Sequence, residues 1–303
     1  MNNSNIHELT REIYQKQHTR IISDKKAMKR YINMFSTDYF GFKKNFFKKK
    51  RVLDAGCGST GKLIIAFSKM GCTDIHGIEI GTDFIATTLE SLRNYNVPLT
   101  NVKLQSGNLL NLPYENNHFD FVACHGVLQH LQNLQEVQKA FSELTRVVRG
   151  GGYLYTSVGL VGGLFDDAII PSVRNYYKTN KQFKYFIDNI SENDFSKTID
   201  FITSSIFKHT KEKINGDIIK PLFDNDLCVT IQNAIQAPVR LQIPQDFLTK
   251  LYRTSHFKNI RKLKRYIKRE NIRKFFAPLH FKDDYPISKI LYGSGYLEMI
   301  GKK

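Results

Sequence analysis

The chain has few cysteines, and their spacing excludes a disulfide framework or a zinc site built from Cys-x-x-Cys pairs. Among 303 residues only four are cysteines: Cys57, Cys72, Cys124 and Cys228. They are scattered, with no Cys-x-x-Cys pair and no spacing typical of metal ligands. We therefore expect free thiols, a reducing cytoplasmic location and no metal site.

Long apolar runs are also missing. Residues 1–5 are polar, and no apolar segment of the kind found in a secretory leader follows them. No window approaches the length of a membrane-spanning helix, since the glycine-rich run 158–165 ends at Asp166 and Asp167. We expect no integral membrane segment. With 41% hydrophobic residues the chain can still bury a large core, which suits one large domain carrying an insertion.

Acidic residues are scarce beside basic ones. The sequence has 28 acidic and 45 Lys or Arg residues, giving a net charge of +17. The positive charge is concentrated in residues 43–51 and 258–274. Such runs are typical of proteins that bind RNA or an anionic surface, and equally of a solvated basic face. Charge reports the sign of a partner and not its identity, so both interpretations stay open.

One segment predicts a nucleoside-binding pocket. Residues 51–60 read RVLDAGCGST, an apolar strand that runs into Gly56 and Gly58, and the next predicted strand ends at Glu79. In a doubly wound sheet such glycines let a ligand approach the backbone, and the acid accepts hydrogen bonds from both ribose hydroxyls. Asp54 stands where nicotinamide-binding turns usually carry another glycine, which indicates a different nucleoside.

The order of the predicted elements indicates an α/β fold. Strands are predicted at 52–55, 74–79, 102–106, 119–124 and 153–158, alternating with helices at 62–69, 83–93 and 134–148. This alternation implies parallel strands joined by right-handed crossovers, in a sheet covered on both faces. Towards the end we predict a helix at 245–255, a strand from about 258 that runs into a basic helix near 268, and a closing strand at 296–302.

Three later segments carry a family resemblance. They read GNLLNLP at 107–113, FDFVACHGVLQHL at 119–131 and ELTRVVRGGGYL at 143–154. In this order and at these separations, they and residues 51–60 resemble the class I S-adenosylmethionine-dependent methyltransferases over about residues 50–160. The resemblance implies S-adenosyl-L-methionine as cofactor and a Rossmann-like, doubly wound, mostly parallel seven-stranded sheet. One departure is visible, because Thr60 replaces the third glycine of the first motif and Gly61 follows it.

The resemblance also implies a division of the chain. Residues 1–49 form a helical N-terminal segment over the cofactor pocket, and residues 50–158 form the cofactor-binding core. Residues 159–243 form a helical insertion that acts as a lid over the acceptor, with an apolar stripe from Phe195 to Ile206. Residues 244–303 return to the core as its last helix and closing strands.

Ten residues are assigned to the cofactor on this basis. Asp54 would steady the turn or meet the amino group through water, Ile80 would pack on the adenine face, and Asn108 would accept from the adenine amine. His125 follows the fourth predicted strand, at the edge where ligands bind in open α/β sheets. The full set is Asp54, Gly56, Cys57, Gly58, Glu79, Ile80, Asn108, Leu109, His125 and Gly126.

The implied reaction moves a methyl group to an oxygen or nitrogen atom of a small or medium-sized acceptor. A methyl group on a sulfonium is already activated, so the protein needs only to align the acceptor and exclude water. His125 and His130 are candidate general bases, because histidine titrates near neutral pH. His125 could equally be a neighbour of the cofactor without a proton role, and His130 could simply cap or pack.

Two other functions stay open at this point. One is an RNA methyltransferase that uses the basic runs 43–51 and 258–274 as phosphate tracks. The other is a non-catalytic partner subunit that binds the cofactor and retains the fold.

Overall fold

The computed structural model describes residues 9, 12–13, 25–160, 164–190, 232, 234–263 and 296–303. The predicted stripe from Phe195 to Ile206 and the predicted basic helix near residue 268 lie outside this part of the chain. The chain divides into two compact units. The first contains residues 1–162, 238–265 and 294–303, and the second contains residues 163–237 and 266–293.

The first unit is built on a seven-stranded sheet with the order β3-β2-β1-β4-β5-β7-β6. Strands β1 to β5 are parallel, and β7 is antiparallel to both of its neighbours. The predicted Rossmann-like, mostly parallel sheet is therefore confirmed. The strands are β1 (Arg51–Ala55), β2 (Asp74–Glu79), β3 (Val102–Ser106), β4 (Phe119–His125), β5 (Val148–Leu160), β6 (Lys258–Lys262) and β7 (Tyr296–Lys302).

The helices of the first unit match the sequence pattern closely, because their apolar positions recur at helical spacing. Among the described helices, Asn133 caps the longest by accepting a hydrogen bond from the amide of Glu136. The described helices are α1 (Lys25–Met34), α2 (Lys62–Lys69), α3 (Phe84–Asn94), α4 (Leu134–Val147) and α7 (Gln245–Thr254).

The start of β5 differs from the prediction. The strand was predicted at 153–158, but it already begins at Val148 and includes residues 150–152. Val148 pairs with Phe119, and the register then shifts before Phe121 pairs with Tyr153. The glycines thus form an irregularity within paired backbone, as glycine in a strand often does.

Successive side chains of a strand point to opposite faces, so the sheet has two different coverings. One face, here called the aromatic face, carries Phe121 and Tyr155, and Phe40 packs on both with ring centroids 5.2 Å apart. The other face packs against α4 and α7, where Phe141 and Tyr252 meet at 4.9 Å. The aromatic face therefore anchors the segment that precedes β1 to the sheet.

In the described part of the second unit, two helices follow a π-helical turn at Phe165–Ile169. They are α5 (Ile170–Thr179) and α6 (Lys181–Asn189). Asn180 caps α6 by accepting from the amide of Phe183, and Tyr177 donates a 2.6 Å hydrogen bond to Asp188. Across the described residues of both units, none of the helices is long and apolar enough to cross a membrane.

Candidate cofactor-binding site

The loop after β1 requires glycine at its first position. Gly56 has a φ of +87°, and its amide donates a 2.8 Å hydrogen bond to Ile78. A Cβ at this position would lie 2.3 Å from Cγ2 of Val127, so no other side chain fits without rearrangement. Cys57 is buried, and burial raises the pKa of its thiol well above the usual value. Together with Gly58, which has a φ of +57°, these residues form a tight turn.

Glu79 ends β2 directly beside this loop. Its Oε2 accepts a 3.0 Å hydrogen bond from the amide of Gly58, and its Oε1 accepts a 2.9 Å bond from the amide of Ile80. Burial raises the pKa of the carboxyl, and the two amide bonds oppose that shift. Each carboxylate oxygen keeps further acceptor capacity, as binding two ribose hydroxyls requires.

Asp54 lies at the bottom of the same site and is only 1% exposed. Its Oδ1 has no hydrogen-bond partner. Burial raises the pKa of Asp54 to about 7, nearby Lys62 lowers it, and Glu79 raises it. A buried acceptor without a donor is costly, so this oxygen suits a ligand that supplies one, such as an amino group. The loop, Glu79 and Asp54 therefore fit the amino and ribose groups of S-adenosylmethionine.

The departure at Thr60 has a structural explanation. Gly61 is the residue that adopts the left-handed conformation, with a φ of 57°, just before α2 begins. Two hydroxyls of α3 then hold the loop: Thr88 donates to the carbonyl of Gly58 at 3.1 Å, and Ser91 donates to the carbonyl of Thr60 at 2.8 Å. The sequence analysis missed Thr88 and Ser91. Their three-residue spacing places them on one helix face, which was the available signal.

Ile80 and the loop after β3 form the side assigned to the adenine. Ile80 is an exposed apolar side chain directly after Glu79, with 41% of its surface accessible. The amide of Gly107 donates a 2.8 Å bond to the carbonyl of Glu79, which ties the two loops together. Asn108 is exposed and its Oδ1 accepts from the amide two residues later, while Leu109 is buried. The exposed face of Ile80 offers a flat ring an apolar surface.

His125 is the last residue of β4, at the carboxyl edge of the sheet. Its Nδ1 lies 3.0 Å from the hydroxyl of Tyr155, and the ring of Phe35 packs edge-on at 5.1 Å. Asp54 pairs in register with Ala123, so His125 stands two residues further along, beside the glycine loop. Gly126 follows with a φ of +75°. These contacts fix the orientation of the His125 ring.

His130 has a different environment. Its Nδ1 lies 3.0 Å from the carbonyl of Val239, which can only accept, so this nitrogen carries the hydrogen. Its Nε2 lies 3.2 Å from the side-chain amide of Gln129 and accepts from it. The carbonyl of Gln129 in turn accepts from the amide of Leu241 at 2.7 Å. His130 thus holds the returning chain against the core, which favours its packing interpretation.

Metal ligands were not expected in this site. In the described residues, no group of three or more His, Cys, Asp or Glu side chains is arranged to hold a metal ion.

Comparison with known proteins finds a family match for part of the chain. Residues 53–156, which contain the glycine loop, Glu79 and His125, match a family described as "Methyltransferase domain". Over these residues the match identifies a methyltransferase domain.

Two curated relatives are similar over about a third of the chain. An uncharacterized methyltransferase of Schizosaccharomyces pombe is 33% identical over 112 residues, covering 35% of this chain and 39% of the relative. The demethylmenaquinone methyltransferase of Staphylococcus aureus is 37% identical over 106 residues, covering 35% and 41%. The chain thus spans about two fifths of the length of these relatives.

Among solved structures, the YcgJ protein of Bacillus subtilis is similar to this chain. Its identity is 12%, the alignment covers 86% of this chain and 94% of that one, and the TM-score is 0.47.

Proposed function

We propose that the protein is a cytoplasmic methyltransferase that moves a methyl group from S-adenosylmethionine to an oxygen or nitrogen atom of a small or medium-sized acceptor. The proposal rests mainly on one observation: three residues assigned to the cofactor lie together at one end of β1 and β2. The Gly58 amide is bonded to the Glu79 carboxylate at 3.0 Å, and the unpartnered Oδ1 of Asp54 lies in the same site.

Each of these residues has one task in binding. Gly56 and Gly58 let the cofactor approach the backbone, Glu79 accepts from the ribose, Asp54 accepts from the amino group, and Ile80 packs on the adenine. When bound, S-adenosylmethionine supplies a methyl group that its positive sulfur has already activated. What remains for the protein is to align the acceptor and exclude water.

We assign His125 the role of general base, which takes a proton from the acceptor. Its position at the end of β4 is beside the glycine loop, and its contact with the Tyr155 hydroxyl holds the ring in place. A histidine in this position takes a proton from a hydroxyl or amine during transfer. His130, with its two ring nitrogens bonded to Val239 and Gln129, is a positioning residue in this scheme.

The first basic run does not favour an RNA substrate. Residues 43–51 lead into the amino end of β1, opposite the edge that carries the glycine loop. Lys50 pairs with Asp120 at 3.4 Å and Arg51 pairs with Asp74 at 2.6 Å. In the second run, the Arg261 guanidinium donates to the carbonyl of Phe40. Residues 264–274 of that run lie outside the described part of the chain. These contacts support a solvated, internally paired basic surface.

The acceptor is selected by residues 159–243 in this proposal. None of the ten residues assigned to the cofactor falls in that segment.

Methyl transfer can be tested directly with tritiated S-adenosylmethionine and the metabolite, lipid and RNA fractions of the source cell. We expect label in the metabolite fraction, and no label with a folded Glu79→Ala variant at the same cofactor concentration. Label in RNA alone would support the RNA methyltransferase instead. Cofactor binding without any labelled product would support the non-catalytic partner subunit.

A further inference from the structure

Glu298 is a buried acid that the scheme above does not use. It lies on β7 and is only 1% exposed. Burial raises the pKa of its carboxyl to about 8, and no charged side chain of the described residues contributes to that shift. At neutral pH the carboxyl therefore keeps its proton.

The contacts of Glu298 leave one oxygen without a partner. Tyr39 donates its hydroxyl hydrogen to Oε2, which leaves Oε1 available to carry the proton of the neutral acid. Oε1 has no hydrogen-bond partner, and neither has the hydroxyl of Ser157, which is also 1% exposed. Buried polar groups normally find partners, so two adjacent exceptions indicate a place for a ligand.

Strand register places these groups in one row with the proposed base. Ser157 of β5 pairs with His125 of β4 on one side and with Glu298 of β7 on the other. Side chains at paired positions project from the same face of a sheet. Neighbouring strands lie about 4.8 Å apart, so the backbone positions of His125 and Glu298 are separated by about 10 Å. The row lies at the carboxyl edge, on the aromatic face, where Phe35 contacts both His125 and Tyr39.

We propose that Glu298 and Ser157 bind an oxygen atom of the methyl acceptor and thereby hold the acceptor next to His125. This inference rests on the proposed methyl transfer and adds the class of acceptor to it. The neutral carboxyl donates a hydrogen bond through Oε1, and the Ser157 hydroxyl donates or accepts beside it. The acceptor therefore presents a hydroxyl or carbonyl oxygen here and carries no positive charge at this position.

Three variants test this assignment. Glu298→Gln keeps a donor at the same place but cannot ionise, whereas Glu298→Met removes the polar group at similar volume. Thr156→Val is the matched control, because Thr156 is adjacent to Ser157 and fully buried but faces Tyr252 on the opposite side of the sheet. Each is assayed with tritiated S-adenosylmethionine and the metabolite fraction that the unmodified protein labels, and cofactor affinity is measured separately by calorimetry.

The expected results separate binding of the acceptor from binding of the cofactor. Glu298→Met lowers kcat/KM for the labelled fraction by about ten- to hundredfold, mainly through KM, the scale for one lost buried hydrogen bond. Glu298→Gln stays within about fivefold, and Thr156→Val stays within about twofold. The cofactor Kd is unchanged in all three.

The pH profile gives a second readout. In the unmodified protein kcat/KM falls as the pH rises through about 8, where Glu298 loses its donor hydrogen. Glu298→Gln lacks this fall. The other titratable or charged groups on this face include Tyr39, Asp54, His125, Tyr153, Tyr155, Arg261 and Lys302, and all of them are present in both proteins.

The outcomes that overturn the inference are distinct from failure of the proposed function. Unchanged kcat/KM in Glu298→Met would show that Glu298 only holds Tyr39. If that variant does not fold, a Glu298→Gln variant that keeps the fall above pH 8 would overturn the inference equally. Weaker cofactor binding by Glu298→Gln would assign Glu298 to the cofactor site instead. If the unmodified protein binds the cofactor but labels no acceptor, the proposed function fails and the inference with it.

Discussion

The amide of Gly58 donates a 3.0 Å hydrogen bond to the carboxylate of Glu79, twenty-one residues further along the chain. This bond joins the glycine loop of β1 to the acid of β2. Because Ile80 donates to the other carboxylate oxygen, the acid is already oriented when the cofactor arrives. Less side-chain freedom is then lost on binding.

Removing the Glu79 carboxylate should weaken cofactor binding strongly. Two hydrogen bonds from the ribose to a charged acceptor are lost in Glu79→Ala, each contributing about 1.5–3 kcal/mol. We expect the calorimetric Kd for S-adenosylmethionine to rise at least a hundredfold. Glu79→Gln keeps one acceptor oxygen and loses the charge. Its Kd should therefore lie between those of the unmodified protein and Glu79→Ala. An unchanged Kd in a folded Glu79→Ala variant contradicts the ribose assignment.

Alanine at position 56 should be far more disruptive than alanine at another glycine of similar conformation. Gly56 and Gly151 have φ values of +87° and +75°, so both variants lose about 1–2 kcal/mol of stability from the left-handed backbone. Only at Gly56 would the new Cβ meet another side chain, at 2.3 Å from Val127, whereas nothing lies within 4 Å at Gly151.

Urea unfolding should therefore show an additional loss of about 1–3 kcal/mol for Gly56→Ala. Adding Val127→Ala should restore part of it. Equal effects of the two glycine variants would contradict the close approach of Val127 to the loop.

The free energy of unfolding should depend on pH through the titration of Asp54. Its pKa is about 7 in the folded chain and near the ordinary value of 3.8 when unfolded. The folded state holds the proton more tightly, so this contribution to stability is present below about pH 4 and is lost as the pH rises to 7. Glu298 titrates near pH 8 in the same sense and is common to both proteins compared.

Asp54→Asn removes this titration. Between pH 4.5 and pH 8 its free energy of unfolding should therefore fall less than that of the unmodified protein, by more than about 1 kcal/mol. Cofactor binding should weaken in the same variant. Parallel stability curves for the two proteins would contradict the raised pKa of Asp54.

The sequence predicts the strands and the connecting loop of residues 51–79 well because several independent local signals agree there. The apolar strand, the glycine loop and Glu79 each predict the same sheet edge. The partners of these residues were not predictable in the same way. Thr88 and Ser91 hold the loop through contacts about thirty residues distant in sequence. Their spacing indicates a shared helix face but does not identify the partner.

Glu298 illustrates the same limit at a longer range. The sequence places it in a closing strand, but its polar neighbours come from register and from a distant segment. Ser157 is its partner on the neighbouring strand. Tyr39, which is 259 residues away in sequence, is its hydrogen-bond donor. Such a juxtaposition follows only from the three-dimensional fold. His130 is a similar case, since its partner Val239 lies 109 residues away.

Residues 163–237, the first segment of the second unit, should be dispensable for cofactor binding but not for methyl transfer. All residues assigned to the cofactor belong to the first unit. Replacing residues 163–237 by a flexible linker should leave the Kd for S-adenosylmethionine within a few-fold and abolish transfer to the metabolite fraction. Loss of cofactor affinity in a folded variant would show that these residues help to build the cofactor site.

The most direct test of the central claim is a calorimetric titration of the unmodified chain with S-adenosylmethionine, and separately with nicotinamide adenine dinucleotide. The arrangement of Asp54, Gly58 and Glu79 predicts saturable binding of the first compound at a single site and none of the second. Binding of the dinucleotide instead, or no binding of S-adenosylmethionine by the folded protein, would contradict the account.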